Sequence, residues 1–196
     1  MPAISATIGA MEIADALQPD DLAEFELEAK HPKAAEEAAV RVLAAKPKHL
    51  DATILHGRAL AAQADALEGE ARHAMFDRAR KALSAANGID KEDPEPMMEY
   101  YFSYLKEGRA PNANAVAALH YASELAPQDT GLRMNSALRY LYDGKLTEAR
   151  RSLVPIAFDP HGGSYADYAR NIFQAIDAGD KERALKLAQT GPSSKD

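Results

Sequence analysis

Apolar residues recur along this chain at helical spacing, in segments separated by regularly placed prolines and glycines. In three segments an apolar residue returns at positions i, i+4 and i+7, which marks one face of an α-helix. The residues on these stripes are Ala79, Leu83 and Ala86, then Ala115, Leu119 and Ala122, then Ala149, Leu153 and Ile156. The pattern predicts three helices that each bury a narrow apolar face.

Prolines and glycines divide these segments at a nearly constant distance. Pro94, Pro127 and Pro160 are spaced 33 residues apart, and Gly108, Gly144 and Gly179 are spaced 36 and 35 residues apart. Helical patterns lie between each proline and the next glycine, and between each glycine and the next proline. Self-similarity of this length, built from paired helices, is typical of helical repeat proteins.

The composition favours helices and excludes some kinds of chemistry. The chain has 41 alanines among 196 residues, no cysteine and no tryptophan, and 46% of its residues are hydrophobic. Alanine is the strongest helix former, and its small side chain lets helices approach closely. Without cysteine there can be no disulfide bond and no thiolate chemistry. We therefore expect an all-α protein with a substantial buried core.

The segment from Leu132 to Pro160 resembles a tetratricopeptide repeat. The residues that carry the resemblance are Ala137, Tyr140, Gly144, Leu146, Glu148, Ala149 and Pro160. The segment from Met97 to Pro127 is similar, with Tyr101 at the place of the small residue. The segment from Asp51 to Asp90 departs from the repeat by about ten extra residues before Ala79, which predicts longer helices or a wider turn. The resemblance implies a right-handed α-solenoid of antiparallel helix pairs.

The repeat pattern also divides the chain into regions. We expect a helical repeat domain of four to five helix pairs at residues 19–189, with its first pair at residues 20–46 and a terminal helix at 181–189. Ala35, Ala39 and Val42 form the second stripe of that first pair. Residues 1–18 are predicted to be an N-terminal segment or linker, and residues 190–196, which lack apolar periodicity, a disordered tail.

A second resemblance covers residues 92–163, which are similar to the repeat-bearing C-terminal tail of some bacterial zinc-peptidase-like proteins. It implies a non-catalytic tail of a bacterial protein, because the chain has no His-Glu-x-x-His helix to carry peptidase chemistry. Residues 1–17 resemble a secretory signal poorly, and no stretch approaches 18 apolar residues. The chain is then either cytoplasmic or a piece of a longer protein whose signal lies upstream, in which case its localisation is unknown. If Met1 is the natural start, we expect a cytoplasmic protein.

No catalytic, cofactor or metal site is predicted. The six histidines are scattered, and His120 and Glu124, which lie one helical turn apart, have no third ligand at a suitable spacing. Neither a phosphate-binding glycine loop nor a nucleophile elbow is present. The carboxylates are expected on solvated faces near helix starts, where they offset the helix dipole. We therefore expect a protein that is not an enzyme.

The tetratricopeptide resemblance implies that the first helix of each pair lines a concave face that binds other proteins. Helical spacing places ten residues on that face: Arg58, Met98, Phe102, Lys106, Met134, Asn135, Leu138, Tyr142, Arg170 and Phe173. This largely apolar set predicts an apolar or amphipathic peptide or helix as the partner. The alternative is that these residues are buried against the chain's own terminal helices or N-terminal segment.

Three functions follow from these patterns. The first is a non-catalytic interaction scaffold that binds a protein or peptide on the concave face. The second is the non-catalytic tail of a larger bacterial enzyme, and the third is a repeat protein that assembles with itself. A net charge of −7 makes nucleic acid an unsuitable partner. The oligomeric state stays open.

Overall fold

Helices form the regular structure in the described part of this protein. The computed structural model describes residues 19–192 and contains no β-strand within them. The predictions for residues 1–18 and 193–196 therefore lie outside the described residues. The helices are α1 (Pro19–Glu28), α2 (Pro32–Ala45), α3 (Leu50–Gln63), α4 (Gly69–Ile89), α5 (Glu95–Glu107), α6 (Ala113–Leu125), α7 (Thr130–Tyr142), α8 (Leu146–Ala157), α9 (Gly163–Asp177) and α10 (Lys181–Thr190).

The chain divides into two compact units. The N-terminal unit ends at Ala115 and the C-terminal unit begins at Val116, so α6 starts in one and continues in the other. In the N-terminal unit each of α1 to α4 packs on the helix that follows it, and α3 also contacts α1 and α5. In the C-terminal unit α7 packs on α8, α8 on α9, and α9 on α10. Sequential packing of helix pairs thus builds both units.

The predicted stripes form the buried faces of the second helices. All nine stripe residues on α4, α6 and α8 are at most 2% exposed. Ala35, Ala39 and Val42 on α2 are buried as well, which confirms the stripe of the first pair. In the C-terminal unit the α8 stripe belongs to a core that also contains Leu141 and Ile172. The stripe prediction is therefore confirmed for every helix on which it was made.

Glycine closes three of the first helices with the same backbone geometry. Gly108, Gly144 and Gly179 have φ values of 81°, 75° and 72°, in the left-handed region that glycine adopts without strain. After Gly144, for example, the Lys145 amide donates to the Tyr140 carbonyl at 2.9 Å, while the Gly144 amide donates to the Leu141 carbonyl at 3.0 Å. Paired bonds of this kind satisfy the last carbonyls of the helix and turn the chain toward its partner helix.

The second helix pair contains the extra residues that the sequence pattern indicated. A 3-10 turn at Ala64–Ala66 follows α3, and α4 is 21 residues long, so both a wider turn and a longer helix are present. The two helices pass very close at Gly57, where an added Cβ atom would lie 2.8 Å from Cγ of Leu83. Glycine at this position therefore allows a close helix crossing.

An ion pair between α4 and α5 is buried, contrary to the expectation that carboxylates lie on solvated faces. The guanidinium of Arg80 and the carboxylate of Glu107 lie 2.7 Å apart, with side chains 7% and 0% exposed. Glu107 also contacts His73 and lies 3.5 Å from Arg109. Arg80 lies over the ring of Tyr104, 4.4 Å from its centroid. Helical periodicity within α5 could not reveal this burial, because the partner cation comes from another helix.

Replacing Ala149 by Trp should destabilise the protein strongly. Ala149 is fully buried in the core of the C-terminal unit, and overpacking such a site costs roughly 1–3 kcal/mol or more. Chemical denaturation measures the loss. Val154→Trp on the same helix is the matched control, since Val154 is 37% exposed, and equal stability of the two variants would contradict the packing described here.

Replacing Glu107 by Gln should remove a carboxylate that stabilises the fold at neutral pH. Burial by itself raises the pKa of Glu107, but hydrogen bonds from His73 and Arg80 and the charges of Arg80 and Arg109 outweigh it, so the pKa lies below its ordinary value. Breaking a buried pair of this kind costs about 3–5 kcal/mol.

Because the folded-state pKa is depressed, the contribution of Glu107 is complete above the unfolded-state pKa of about 4.3. It disappears as the pH falls through the folded-state pKa. Urea denaturation at several pH values should show that the free energies of unfolding of the unchanged protein and of the Glu107→Gln variant become equal in acid. Glu99→Gln, which removes a partly exposed pairing with Lys106, should change stability by about 1 kcal/mol at most, and an equal loss in both variants would refute the interpretation.

Candidate functional site

The first helices of the N-terminal unit line a pocket of about 350 Å³. Residues of α1, α3 and α5 surround it, and all three are first helices of their pairs. We call it the acidic pocket, and its residues are Asp21, Glu24, Asp51, Ile54, Leu55, Arg58 and Glu95. Ile54 and Leu55 are buried, so the pocket combines two apolar side chains with four carboxylates and one guanidinium.

Arg58 is the cation at the centre of this arrangement. Its guanidinium lies 3.1 Å from the carboxylate of Glu24 on α1 and 3.5 Å from that of Glu95 on α5. Burial raises the pKa of Glu95, Arg58 opposes this effect, and the charges of Asp93, Glu99 and Glu24 add to it. Negative charge therefore remains incompletely neutralised in the pocket.

The other predicted residues of this unit lie on α5. Met98 and Phe102 are half-buried and Lys106 is exposed. Phe102 packs edge-on against Tyr101, with ring centroids 5.5 Å apart, and Lys106 pairs with Glu99 at 3.3 Å. Arg58, Met98, Phe102 and Lys106 thus keep part of their surface accessible, and with the acidic pocket they form what we call the N-terminal first-helix face.

In the C-terminal unit, three of the six predicted residues pack against or hydrogen-bond to other residues of the unit. Met134 and Phe173 are 3% and 7% exposed and belong to the core. Phe173 packs against Phe158 at the end of α8. The guanidinium of Arg170 donates to the Ala157 carbonyl at 3.0 Å. Arg170 and Phe173 therefore contact the neighbouring second helix.

The remaining three predicted residues lie on α7. Asn135 donates a hydrogen bond to the Gly131 carbonyl at 2.9 Å, one turn back in its own helix. Leu138 is half-buried and packs against the core, whereas Tyr142 is 49% exposed. These three side chains are consequently more accessible than Met134 and Phe173.

The terminal helix α10 contacts both first helices of the C-terminal unit. It packs on α9 and also touches α7. The hydroxyl of Tyr168 on α9 donates to the Ala188 carbonyl at 2.9 Å, and Ala184 and Ala188 are buried. The helix α10 thus packs on part of the surface of α9 and α7.

Two solved structures share this architecture. A thermophilic tetratricopeptide-repeat protein of Thermus thermophilus, TTC0263, has a TM-score of 0.59 and 21% identity over 88% of this chain and 80% of its own. The crystal structure of MamA gives a TM-score of 0.58 and 16% identity over 86% of this chain and 93% of its own. The fold is that of the tetratricopeptide-repeat proteins.

No protein-family model and no curated protein matches the chain. The similarity to tails of bacterial zinc-peptidase-like proteins therefore has no support beyond the sequence pattern itself. The tetratricopeptide resemblance, by contrast, is confirmed at the level of the fold, including the α-solenoid class of stacked helix pairs.

Sequence reasoning missed the carboxylates around Arg58. Carboxylates near helix starts were expected only on solvated faces, where each offsets the dipole of its own helix. A signal was available in the tetratricopeptide pattern itself, because successive first helices run side by side and bring their first turns together. The acidic character of the pocket follows from that adjacency, not from any local motif.

Two further features of the described residues bear on function. Within residues 19–192 there is no group of three or more histidines and carboxylates placed to hold a metal ion. His120 contacts Ser136 and Tyr140 instead of forming a site with Glu124. Over the same residues, no helix has the length and apolar character needed to cross a bilayer.

Replacing Ala184 by Arg should release α10 from α9 and α7. Ala184 has no exposed surface, and a buried unpaired charge is strongly unfavourable. We expect backbone amides of Lys181–Thr190 to exchange with deuterium at least roughly tenfold faster. Glu182→Arg, at an exposed position of the same helix, should leave exchange unchanged. Slow exchange in both variants would mean that α10 is held by other contacts.

Proposed function

We propose that this chain is a non-catalytic interaction scaffold that binds a peptide or helix of a partner protein on its N-terminal first-helix face. The acidic pocket is the observation that carries the proposal. It is concave, it combines apolar side chains with uncompensated negative charge, and three helices contribute to it. Those are the properties of a surface that recognises an amphipathic segment.

The chemistry of the pocket defines the partner more closely. Ile54 and Leu55 offer apolar contact, and Phe102 and Met98 extend this character along α5. The carboxylates of Asp21, Glu24, Asp51 and Glu95 exceed the single charge of Arg58. We therefore propose an amphipathic peptide that inserts an apolar side chain and places a lysine or arginine near the carboxylates.

The same charges argue against nucleic acid as the ligand. Nucleic-acid binders gain most of their affinity by neutralising phosphates with lysine and arginine. A pocket with four carboxylates repels phosphates, and the chain as a whole carries a net charge of −7. A protein partner is the proposal that agrees with both observations.

The C-terminal unit contributes less to this proposal. Met134 and Phe173 are buried in its core, and α10 contacts both α7 and α9. Asn135, Leu138 and Tyr142 keep accessible surface and remain a proposed extension of the binding surface. Self-assembly stays a separate prediction, and light scattering at increasing protein concentration measures it directly.

Replacing Phe102 by Arg should weaken binding of the partner. Phe102 is half-buried on the proposed face, and an arginine there removes apolar contact and introduces a charge where an apolar side chain would dock. We expect the affinity to fall roughly tenfold or more. The measurement is affinity capture by the intact chain from a lysate of its source cell, with partners identified by mass spectrometry and their affinity then determined with purified protein.

Val40→Arg is the control for that experiment. Val40 is 46% exposed on α2, a second helix, and does not line the acidic pocket. Circular dichroism must show both variants folded. If the Phe102 variant captures the same partner with unchanged affinity, the N-terminal first-helix face is not the binding surface and the proposal fails.

A further inference from the structure

A second pocket, in the C-terminal unit, is lined by polar side chains that the proposed function does not use. Its volume is about 330 Å³, and residues of α6, α7 and α8 line it. Arg133 on α7 and Arg151 on α8 bring two guanidinium groups to it, and Ser123 and Ser152 bring hydroxyls. We call it the polar pocket.

His120 brings a buried nitrogen without a partner to this pocket. Its ring stacks on that of Tyr140, with centroids 3.6 Å apart and planes at 2°. Nδ1 lies 2.8 Å from the hydroxyl oxygen of Ser136. Nε2 is buried and has no hydrogen-bond partner among residues 19–192. Because Nε2 has almost no accessible surface, a ligand in the pocket reaches it only when the His120 ring or a neighbouring side chain shifts.

The Ser136 hydroxyl determines which nitrogen carries the hydrogen. Ser136 is 2% exposed, and Nδ1 of His120 is the acceptor within reach of its hydroxyl in the described part of the chain. Because a buried hydroxyl without an acceptor is unfavourable, it donates to Nδ1 and leaves the hydrogen on Nε2. Burial, with Lys145 and Arg139 acting in the same direction, lowers the pKa of His120 to about 4. The ring is therefore neutral at pH 7, and Nε2 is a donor.

The two arginines are suited to an anionic ligand. Nε and Nη2 of Arg133 donate to the Pro127 carbonyl at 3.3 and 2.8 Å, which fixes the guanidinium while Nη1 has no protein partner among the described residues. Arg151 forms neither a hydrogen bond nor an ion pair within residues 19–192. Guanidinium groups bind the oxygens of phosphate and carboxylate in defined geometry.

We propose that the polar pocket binds a phosphate group, supplied by inorganic phosphate or by a small phosphomonoester. The guanidinium groups of Arg133 on α7 and Arg151 on α8 line it, and His120 on α6 lines it beside them. Such a set matches a tetrahedral group with several acceptor oxygens better than a planar carboxylate. Glu124 also lines the pocket, and its charge opposes an anion. Its side chain and that of Arg151 are both exposed, so solvent weakens the effect of each charge without abolishing it.

Titration of the full chain with inorganic phosphate, followed by NMR, tests this site. We expect saturable shifts of the His120 ring and of amides near Arg133. Arg151→Gln should weaken binding roughly tenfold, as expected for the loss of a charge-assisted contact. Arg150→Gln is the matched control, because Arg150 is an exposed neighbour that pairs with Asp177. Shifts that do not saturate, or equal weakening in both variants, would overturn the proposal.

A variant that tightens phosphate binding distinguishes ligand recognition from structural damage, because damage to the pocket can only weaken binding. Glu124→Gln removes the opposing charge and should tighten phosphate binding several-fold, which a damaged pocket would not do. Weakened or unchanged binding in this variant would contradict the assignment.

Two further ligands define what the site recognises. If glycerol phosphate binds more tightly than inorganic phosphate, the ligand is a phosphomonoester, and equal or weaker binding assigns free phosphate. Acetate that binds as well as phosphate would refute recognition of a tetrahedral group. None of these outcomes depends on the protein partner, so the two proposals can fail independently.

Discussion

Close contact between helices through alanine is the constraint on which this structure depends. Ala79, Ala115 and Ala149 begin the buried stripes of three second helices, and none has any exposed surface. Because alanine has no atoms beyond Cβ, the backbones of adjacent helices can approach closely at these points. Leucine and isoleucine further along each stripe fill the space that opens between the helices. The helix pairs stack because each stripe places a small alanine and, four residues later, a leucine.

Stacking of this kind brings similar parts of successive first helices together. Asp51 and Glu95 lie in the first turns of α3 and α5, where each carboxylate interacts favourably with the dipole of its own helix. Since α3 contacts both α1 and α5, these charges meet Asp21 and Glu24 in one pocket. A feature that stabilises each helix separately thus produces a negative surface when the helices are assembled. Arg58 compensates only part of it.

The two units use their first helices differently. In the N-terminal unit, Phe102 keeps part of its surface accessible, and the acidic pocket with Arg58 lies among the first helices. In the C-terminal unit, α10 contacts both α7 and α9, and Tyr168 binds the backbone of α10. Ala184 and Ala188 on α10 are buried in this packing. Differences in accessibility between equivalent helices of the two units follow from it.

The sequence by itself determined the all-α class, the stripes on α2, α4, α6 and α8, the glycine turns and the irregular second pair. These features depend on spacing within single helices or on turns of a few residues, so one-dimensional periodicity contains them. The sequence did not determine the burial of Glu107, the carboxylates around Arg58 or the orientation of Phe173 toward α8. Each of these depends on side chains from another helix, and only the packing of the helices decides which groups meet. Helical spacing can place a residue on a face, but whether that face is open, charged or covered is a property of its neighbours.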